Sequence, residues 1–209
     1  MIDLYTWNTP NGRKVPMLLE ELGTPYELHL VDIGKDEQFT PEFLEISPNN
    51  KIPGIVDRDS GLTIFESGAI LTYLADKHGR LLAKEGPARW KALEWTFWQV
   101  GGLGPMLGQL GFYAVRSKEK APLAIQRFTD ESARLLGVMN KQLTASTYLA
   151  GDEYTIADIA CYAWTLAATT FLEKPLAATL PGLAHVTRWL ETVGKRPATQ
   201  RAMALQLDR

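Results

Sequence analysis

The amino-acid sequence predicts a mixed α/β domain over residues 1–82 and an all-helical domain over residues 87–209. Short apolar runs with the length of strands alternate with helical patterns in the first domain, whereas only helical periodicity follows Gly86. The charge changes at the same boundary, because residues 1–82 hold 7 Lys and Arg against 13 Asp and Glu, and the remainder holds 15 against 11. The elements of the first domain are predicted in the order β-α-β-α-β-β-α.

The start of the chain predicts a βαβ unit. A strand over residues 2–6 leads through a polar loop to a helix over residues 13–22, and a second strand covers residues 26–31. Pro16 lies near the first turn of this helix, where few N–H groups have intrahelical partners, so the proline is tolerated. A strand, a helix and a strand this close together should give parallel strands joined by a right-handed crossover.

The middle of the first domain predicts a hairpin after a short helix over residues 39–46. The first strand of the hairpin begins at Pro53, because a proline cannot donate to a strand ladder and suits the first residue of a strand. Turn residues follow at 57–61, and residues 62–65 alternate as the returning strand.

A helix begins directly after this hairpin, at Glu66 and Ser67. The start of a helix offers free backbone N–H groups and partial positive charge, so it can hold a carboxylate. Spacing alone favours an ordinary hairpin followed by a capped helix. Whether a ligand binds there has to be judged from other segments of the chain.

The second domain predicts a set of helices. Gly101 to Pro105 should kink or unwind the first of them, since Gly and Pro are the usual causes of sharp bends. Thr155 lies three residues before Asp158 in a close variant of the capping box, so we assign Asp158 to folding rather than to catalysis. The helices are predicted over residues 89–106, 122–143, 154–172, 181–196 and 198–206.

Composition excludes several classes of function. A net charge of −2 argues against nucleic acid and against an anionic membrane as partners. The single cysteine, Cys161, excludes an internal disulfide or thiolate cluster and fits a reducing compartment, and the three scattered histidines suggest no metal site. Residues 1–3 lack a basic segment and no apolar run reaches about 18 residues, so we expect neither signal peptide nor membrane span, and a cytoplasmic protein.

The first domain resembles the thioredoxin fold in its element order and in the proline that opens the third strand. It lacks the Cys-x-x-Cys motif of the redox members of that fold. The whole chain resembles the cytosolic glutathione S-transferases through the Ile52-Pro53 step, the Glu66-Ser67 helix start and the cap at residues 155–158. Three segments resemble the bacterial Nu-class glutathione transferases that act as disulfide-bond oxidoreductases: residues 8–12 (NTPNG), 46–53 (ISPNNKIP) and 98–106 (WQVGGLGPM).

This resemblance implies a glutathione S-transferase fold with a glutathione site on the first domain. Glu66 would accept from the γ-glutamyl amine, while the Ser67 hydroxyl and the helix N-terminus would hold the adjacent carboxylate. The resemblance also implies a cis Pro53, which would turn the Ile52 backbone towards the cysteinyl amide of glutathione. An ordinary strand-edge proline remains an alternative for Pro53.

Further residues resemble those that reach the other end of glutathione. Gln38 and Lys51 match residues that contact the glycyl carboxylate, and Arg127 points at the site from the helical domain of the same or the partner subunit. A solvated loop charge at Lys51 and an ordinary exposed arginine at position 127 remain open.

The resemblance also implies how the sulfur is handled. No cysteine occurs in the loop after the first strand, and the candidate catalytic residues there are Thr9 and Asn11, of which Asn11 is also expected to bind glutathione. Because neither group is charged, they would lower the pKa of a thiol only modestly, which suits disulfide exchange. We assign Tyr5, within the strand, to packing.

The resulting hypothesis is a homodimeric glutathione-dependent disulfide-bond oxidoreductase without a metal. Reduced or oxidised glutathione is the co-substrate, and it supplies the thiols that reduce a small disulfide. The substrate pocket is expected at Trp7, Met106 and Tyr113. Two alternatives remain: a conventional transferase that conjugates glutathione to apolar electrophiles, and a transferase-like interaction module without catalysis.

Overall fold

A mixed sheet with the strand order β2-β1-β3-β4 lies at the centre of the N-terminal part of the chain. β1 and β2 are parallel, whereas β3 is antiparallel to both β1 and β4, so the predicted parallel unit and the hairpin are confirmed. In this computed structural model, which describes residues 1–208, the strands are β1 (Ile2–Thr6), β2 (Tyr26–Leu30), β3 (Gly54–Asp57) and β4 (Leu62–Phe65).

Three helices complete the thioredoxin-like order that the sequence predicts. They are α1 (Pro10–Leu22), α2 (Pro41–Ile46) and α3 (Ser67–His78). α1 packs against α3, and the fully buried residues Leu4, Leu18 and Ile55 belong to the core that these elements share. Burial of such side chains is the main favourable term in folding.

Two element boundaries differ from the prediction. α1 begins at Pro10 rather than at residue 13, because the Thr9 hydroxyl caps the helix and proline is well suited to the first helical position. The helix predicted over residues 39–46 is divided into a 3-10 turn over Glu37–Phe39 and α2, because Thr40 caps a new helix there with its hydroxyl, which accepts from Phe43 N.

The second half of the chain is helical, as predicted. The helix expected over residues 89–106 consists of α4 and α5, and the interruption predicted at Gly101 to Pro105 is a π-helical turn over Gln99–Leu103 that contains Gly101 and Gly102. Within residues 1–208, no helix combines the length and apolar character needed to cross a bilayer. The helices are α4 (Gly86–Trp98), α5 (Gly104–Leu110), α6 (Pro122–Gln142), α7 (Ile156–Thr169), α8 (Glu173–Leu176) and α9 (Ala184–Gly194).

The start of α7 contains the predicted capping box. Thr155 Oγ1 accepts from Ala157 N at 3.3 Å, and Asp158 Oδ2 accepts from Thr155 N at 3.0 Å. The other oxygen of Asp158 accepts from Leu149 N and from Trp189 Nε1. Burial raises the pKa of this carboxyl group despite these bonds. The structural role predicted for Asp158 is therefore confirmed.

The C-terminal helix, α10 (Pro197–Ala204), packs on α1. Arg13 Nη1 donates to the carbonyl oxygens of Ala202 and Leu205 at 3.0 and 2.8 Å, which satisfies groups at the end of α10. Beyond the helix, Asn8 N donates to Leu207 O at 3.0 Å. The segment after α9 is thereby tied to the loop that follows β1.

Packing divides the chain into two compact units. The first comprises Met1–Lys84 together with the segment from Lys195 onward, and the second comprises Glu85–Gly194. The C-terminal segment thus packs with the α/β unit, because α10 and α1 share an interface. The domain limits of residues 1–82 and 87–209 stay a prediction.

Candidate functional site

The loop after β1 is held in one conformation by hydrogen bonds around Gly12. Thr9 Oγ1 accepts from Gly12 N at 3.0 Å, and Thr6 Oγ1 donates to Gly12 O at 2.9 Å. A Cβ atom at Gly12 would lie 2.0 Å from Trp7 O, so only glycine allows α1 to approach this loop so closely. Since the Thr9 oxygen accepts the capping bond, its own hydrogen is available to donate elsewhere.

The segment that leads into β3 is held by a hydrogen bond between two of its own residues. Ser47 is fully buried, and its hydroxyl donates to Lys51 O at 2.8 Å. The peptide bond between Ile52 and Pro53 is cis, as the resemblance implied. Gly54 follows, where a Cβ atom would lie 2.8 Å from Ile46 Cγ2, so glycine allows α2 to pack closely on β3. The predicted start of β3 at Pro53 is wrong by one residue, since the strand begins at Gly54.

The start of α3 places a strained residue next to a buried hydroxyl. Glu66 has φ = 69° and ψ = 113°, a conformation that non-glycine residues rarely adopt, and its residue is exposed. Ser67 is the first residue of α3 and only 7% exposed. Backbone strain of this kind clusters at functional sites, so Glu66 is a candidate for a functional role.

Lys14 contacts the same hydroxyl from the protein interior. Its side chain is 1% exposed, and Nζ donates to Ser67 Oγ at 3.2 Å. Sequence reasoning missed this residue. The signal was its position four residues before the buried Leu18, which places a lysine on the apolar side of α1.

These segments surround a hollow of about 60 Å³. It combines a carboxylate, an ammonium, a hydroxyl and a side-chain amide, so it can bind groups of either charge. The volume accommodates one end of an extended ligand, and the remainder would lie along the surface. The hollow brings together six of the predicted residues, namely Asn11, Lys51, Ile52, Pro53, Glu66 and Ser67, and Ser47, Asn49 and Phe65 also line it.

Thr9, Trp7 and Gln38 also belong to the first unit but do not line this hollow. Thr9 and Trp7 are half-buried in the loop after β1. Gln38 lies in the 3-10 turn over Glu37–Phe39, and its buried Oε1 has no hydrogen-bond partner among the residues that the structure describes.

The remaining predicted residues belong to the second unit. Met106 is half-buried on α5, and Arg127 is exposed on α6. Tyr113 stacks on Phe128, with 5.7 Å between the ring centroids and 13° between the ring planes. Their participation in the site stays a prediction.

A buried carboxylate at the end of β3 holds the middle and the last turn of α3 against that strand. Asp57, at the end of β3, is fully buried, and its Oδ2 accepts from Tyr73 Oη and from Lys77 Nζ of α3, each at 2.6 Å. Burial alone would raise the pKa of Asp57, but these hydrogen bonds and the Lys77 charge outweigh it and lower the pKa to about 2. The carboxylate therefore connects β3, which directly follows Pro53, to α3, which begins at Ser67.

A second polar cluster lies on the strands β1 and β2, away from the hollow. One carboxylate oxygen each of Asp3 and Glu27 and a ring nitrogen of His29 lie within 4.8 Å of one another, a spacing that would suit the ligands of a metal ion. Arg58 Nε donates to Asp3 Oδ2 at 2.7 Å, and its guanidinium also contacts Glu27. The hydrogen bond from Arg58 lowers the pKa of Asp3 to about 2. Because a guanidinium already pairs with both carboxylates, we assign no metal to this cluster.

Comparison with known proteins gives consistent matches over the chain. Residues 2–76 match the family model "Glutathione S-transferase, N-terminal domain", and residues 103–197 match "Glutathione S-transferase, C-terminal domain". The disulfide-bond oxidoreductase YfcG of Escherichia coli (strain K12) is 50% identical over 208 residues, which are 97% of this chain and 94% of that protein.

Two solved structures are similar over nearly the whole chain. A glutathione transferase family member from Pseudomonas fluorescens, with two glutathione molecules bound, is 43% identical with a TM-score of 0.93, and the match covers 98% of this chain and 93% of that one. A glutathione transferase from Pseudomonas putida, with one glutathione disulfide bound per subunit, is 39% identical with a TM-score of 0.91, covering 98% and 91%.

Proposed function

The chain belongs to the glutathione S-transferase family, and on this basis we propose that it is a glutathione-dependent disulfide-bond oxidoreductase. Bound glutathione supplies the thiols that reduce small disulfides. The observation that carries the proposal is the hollow at the start of α3, which presents charges of both signs and has no cysteine in its lining. Such a site binds a zwitterionic peptide and leaves the sulfur chemistry to the ligand.

Glutathione binds with its γ-glutamyl end in this hollow. Glu66 accepts from the amine, and the carboxylate lies on the Ser67 hydroxyl and the free N–H groups of α3. The backbone at Ile52, preceding the cis Pro53, pairs with the cysteinyl amide as an added strand would. Gln38 and Lys51 reach the glycyl carboxylate, and Arg127 contributes from the helical part of this or the partner subunit.

The loop after β1 holds the sulfur. The Thr9 hydroxyl hydrogen and the Asn11 amide donate to the thiolate, and because neither group is charged the pKa of the thiol falls only modestly. A thiolate that keeps much of its basicity is a good nucleophile for a disulfide. Cys161 is buried in the second unit and takes no part.

The reaction consists of two exchanges. The thiolate of the first glutathione attacks one sulfur of the substrate disulfide, which forms a mixed disulfide and releases the other sulfur as a thiolate. The thiolate of a second glutathione then attacks the glutathione sulfur of the mixed disulfide, which yields glutathione disulfide and the second substrate thiol. Two electrons pass from two glutathione molecules to one disulfide, and no further reductant is needed.

The names of similar proteins support this assignment. The relative from Escherichia coli is called a disulfide-bond oxidoreductase, and the similar structures hold two glutathione molecules or one glutathione disulfide. Two bound thiols and a bound disulfide correspond to the reduced co-substrate and to its product. We place this protein in the Nu class on the segments that include Thr9, Pro53 and the glycines of the π-helical turn.

We further propose a cytoplasmic homodimer. Trp90 and Phe97 lie seven residues apart on α4, so they share one side of the helix, and they are 68% and 69% exposed. A second copy of the chain would cover these rings. The single cysteine suits a reducing compartment, where glutathione is available. The assignment of Trp7, Met106 and Tyr113 to the pocket for the second thiol or the substrate stays a prediction.

Activity on two substrates tests the proposed function. With glutathione present, we expect faster turnover of hydroxyethyl disulfide than of a chlorinated nitrobenzene, and we expect Glu66→Gln and Ser67→Ala to weaken glutathione binding. Turnover of the nitrobenzene alone would instead identify a conventional conjugating transferase. Failure to bind reduced and oxidised glutathione in calorimetry would identify an interaction module.

A further inference from the structure

Lys14 stands out among the buried residues of the first unit because it carries an amino group into a nearly water-free position. Its side chain is 1% exposed, and its flanking residues on α1, Val15 and Leu18, are fully buried. Burial of an ammonium group is unfavourable unless hydrogen bonds and opposite charge compensate for it. An apolar residue at this position would pack in the core without that cost, and the bond to Ser67 is one of the contacts that offset it.

The contact between Lys14 and Ser67 determines how the serine can serve a ligand. A serine hydroxyl has one hydrogen to donate and two lone pairs to accept. Lys14 Nζ donates to Ser67 Oγ at 3.2 Å, which occupies one lone pair from the interior side. The hydroxyl hydrogen is then directed away from the lysine, and Ser67 lines the hollow on its other side.

Three sources of positive potential converge at this point. Lys14 lies behind Ser67, the N-terminal N–H groups of α3 lie around it, and the serine, which lines the hollow, has a hydrogen left to donate to a ligand. Glu66, the adjacent residue, carries the negative charge of the hollow. A carboxylate therefore binds preferentially at Ser67 and an amine at Glu66, so the hollow orients a ligand that carries both groups.

We propose that Lys14 is a positioning residue that selects and orients the γ-glutamyl carboxylate of glutathione. It fixes the Ser67 hydroxyl as a donor to that carboxylate and balances the carboxylate charge from within the protein. Because the site is buried, this attraction is screened by salt less than one between exposed groups. The inference rests on the proposed function, since it names the group that binds at Ser67.

Calorimetry with three ligands separates this role from a merely structural one. The ligands are glutathione, 4-aminobutyryl-cysteinyl-glycine, which lacks the γ-glutamyl carboxylate, and glutaryl-cysteinyl-glycine, which lacks the amine. We expect Lys14→Met to weaken binding of glutathione and of the glutaryl peptide by about 10- to 100-fold, as when a charged hydrogen-bonding partner is removed. Binding of the aminobutyryl peptide should change by less than about twofold, since it has no carboxylate to lose.

A matched control is the exposed lysine of the same hollow. Lys51→Met removes one positive charge near the glycyl end, so it should weaken binding of glutathione and of the aminobutyryl peptide by similar factors. Equal weakening of all three ligands by Lys14→Met, or unchanged glutathione binding, would overturn the inference. If the wild-type protein bound no glutathione, the proposed function itself would fail, which is a different result.

A crystal structure of the wild-type protein with glutathione gives a check that needs no variant, should Lys14→Met fail to fold. The expected result is the γ-glutamyl carboxylate on Ser67 Oγ while Lys14 Nζ still contacts that oxygen. A carboxylate bound away from Ser67, or a lysine turned away from the serine, would overturn the inference.

Discussion

Replacing Asp57 by asparagine should destabilise the first unit by about 2–4 kcal/mol at pH 7. The carboxylate is fully buried, and its pKa is lowered from the usual 3.8 to about 2. At about 1.4 kcal/mol for each tenfold change, this corresponds to about 2 kcal/mol in favour of the folded state. The asparagine amide has one oxygen where aspartate has two. Either Asp59 N, which donates to Oδ1, or Tyr73 and Lys77, which donate to Oδ2, would therefore lose the acceptor, at a cost of about 1–3 kcal/mol.

The pH dependence has a definite sign. Because the pKa of Asp57 is lower in the folded chain, its stabilisation is fully present above about pH 4 and is lost as the pH falls through the folded value of about 2. About half of it should remain at pH 3. Asp3, whose pKa is also about 2, titrates in the same range but is present in both proteins, so it cancels in the difference.

Urea unfolding followed by far-ultraviolet circular dichroism measures this difference at pH 7 and pH 3. Asp59→Asn is the matched control, since Asp59 also pairs with Lys77 but its side chain is 63% exposed, and its loss should be at most about 1 kcal/mol. A loss below about 0.5 kcal/mol for Asp57→Asn at pH 7 would refute the reasoning. A difference between wild type and variant that is the same at both pH values would refute the assigned titration.

Three further outcomes are expected. Asn11→Ala should lower kcat for disulfide reduction with little change in glutathione affinity, measured by steady-state kinetics and calorimetry; a defect in affinity alone would remove Asn11 from the sulfur. Cys161→Ala should retain at least about half of the activity, because the thiol is buried and the ligand brings the reacting sulfur; loss of activity in a folded variant would move the chemistry to the protein. Gly12→Ala should destabilise the first unit by at least about 2 kcal/mol in urea unfolding, because its Cβ would meet Trp7 O at 2.0 Å; an unchanged midpoint would show that the loop can move aside.

Local sequence patterns predicted most of the fold. β1 and β4 have the predicted bounds, because alternating apolar residues between turn residues leave few alternatives over so short a stretch. The capping box of α7 was equally predictable from the sequence, since its hydrogen bonds join residues within one helical turn. Helix starts were less well predicted, as at Thr9, because a capping hydroxyl shifts the boundary without changing the apolar pattern.

The candidate site was only partly predictable. The structure brings Asn11, Lys51 and Ser67 to one hollow, and the resemblance to a family had named all of them. Their roles towards glutathione stay predictions. Lys14 was missed because its hydrogen bond reaches Ser67, 53 residues away, and no local pattern records such a contact. The ties between Arg13 and the end of α10 were missed for the same reason.

The bond between Asn8 N and Leu207 O has a consequence for the order in which the protein is made. Asn8 directly precedes the threonine proposed to hold the sulfur, yet its brace comes from a segment synthesised far later. At about 5–20 residues per second, a ribosome needs about 10–40 seconds to reach that segment. A nascent chain can therefore form its sheet early, while the loop proposed to hold the thiol still lacks its hydrogen bond to the C-terminal segment.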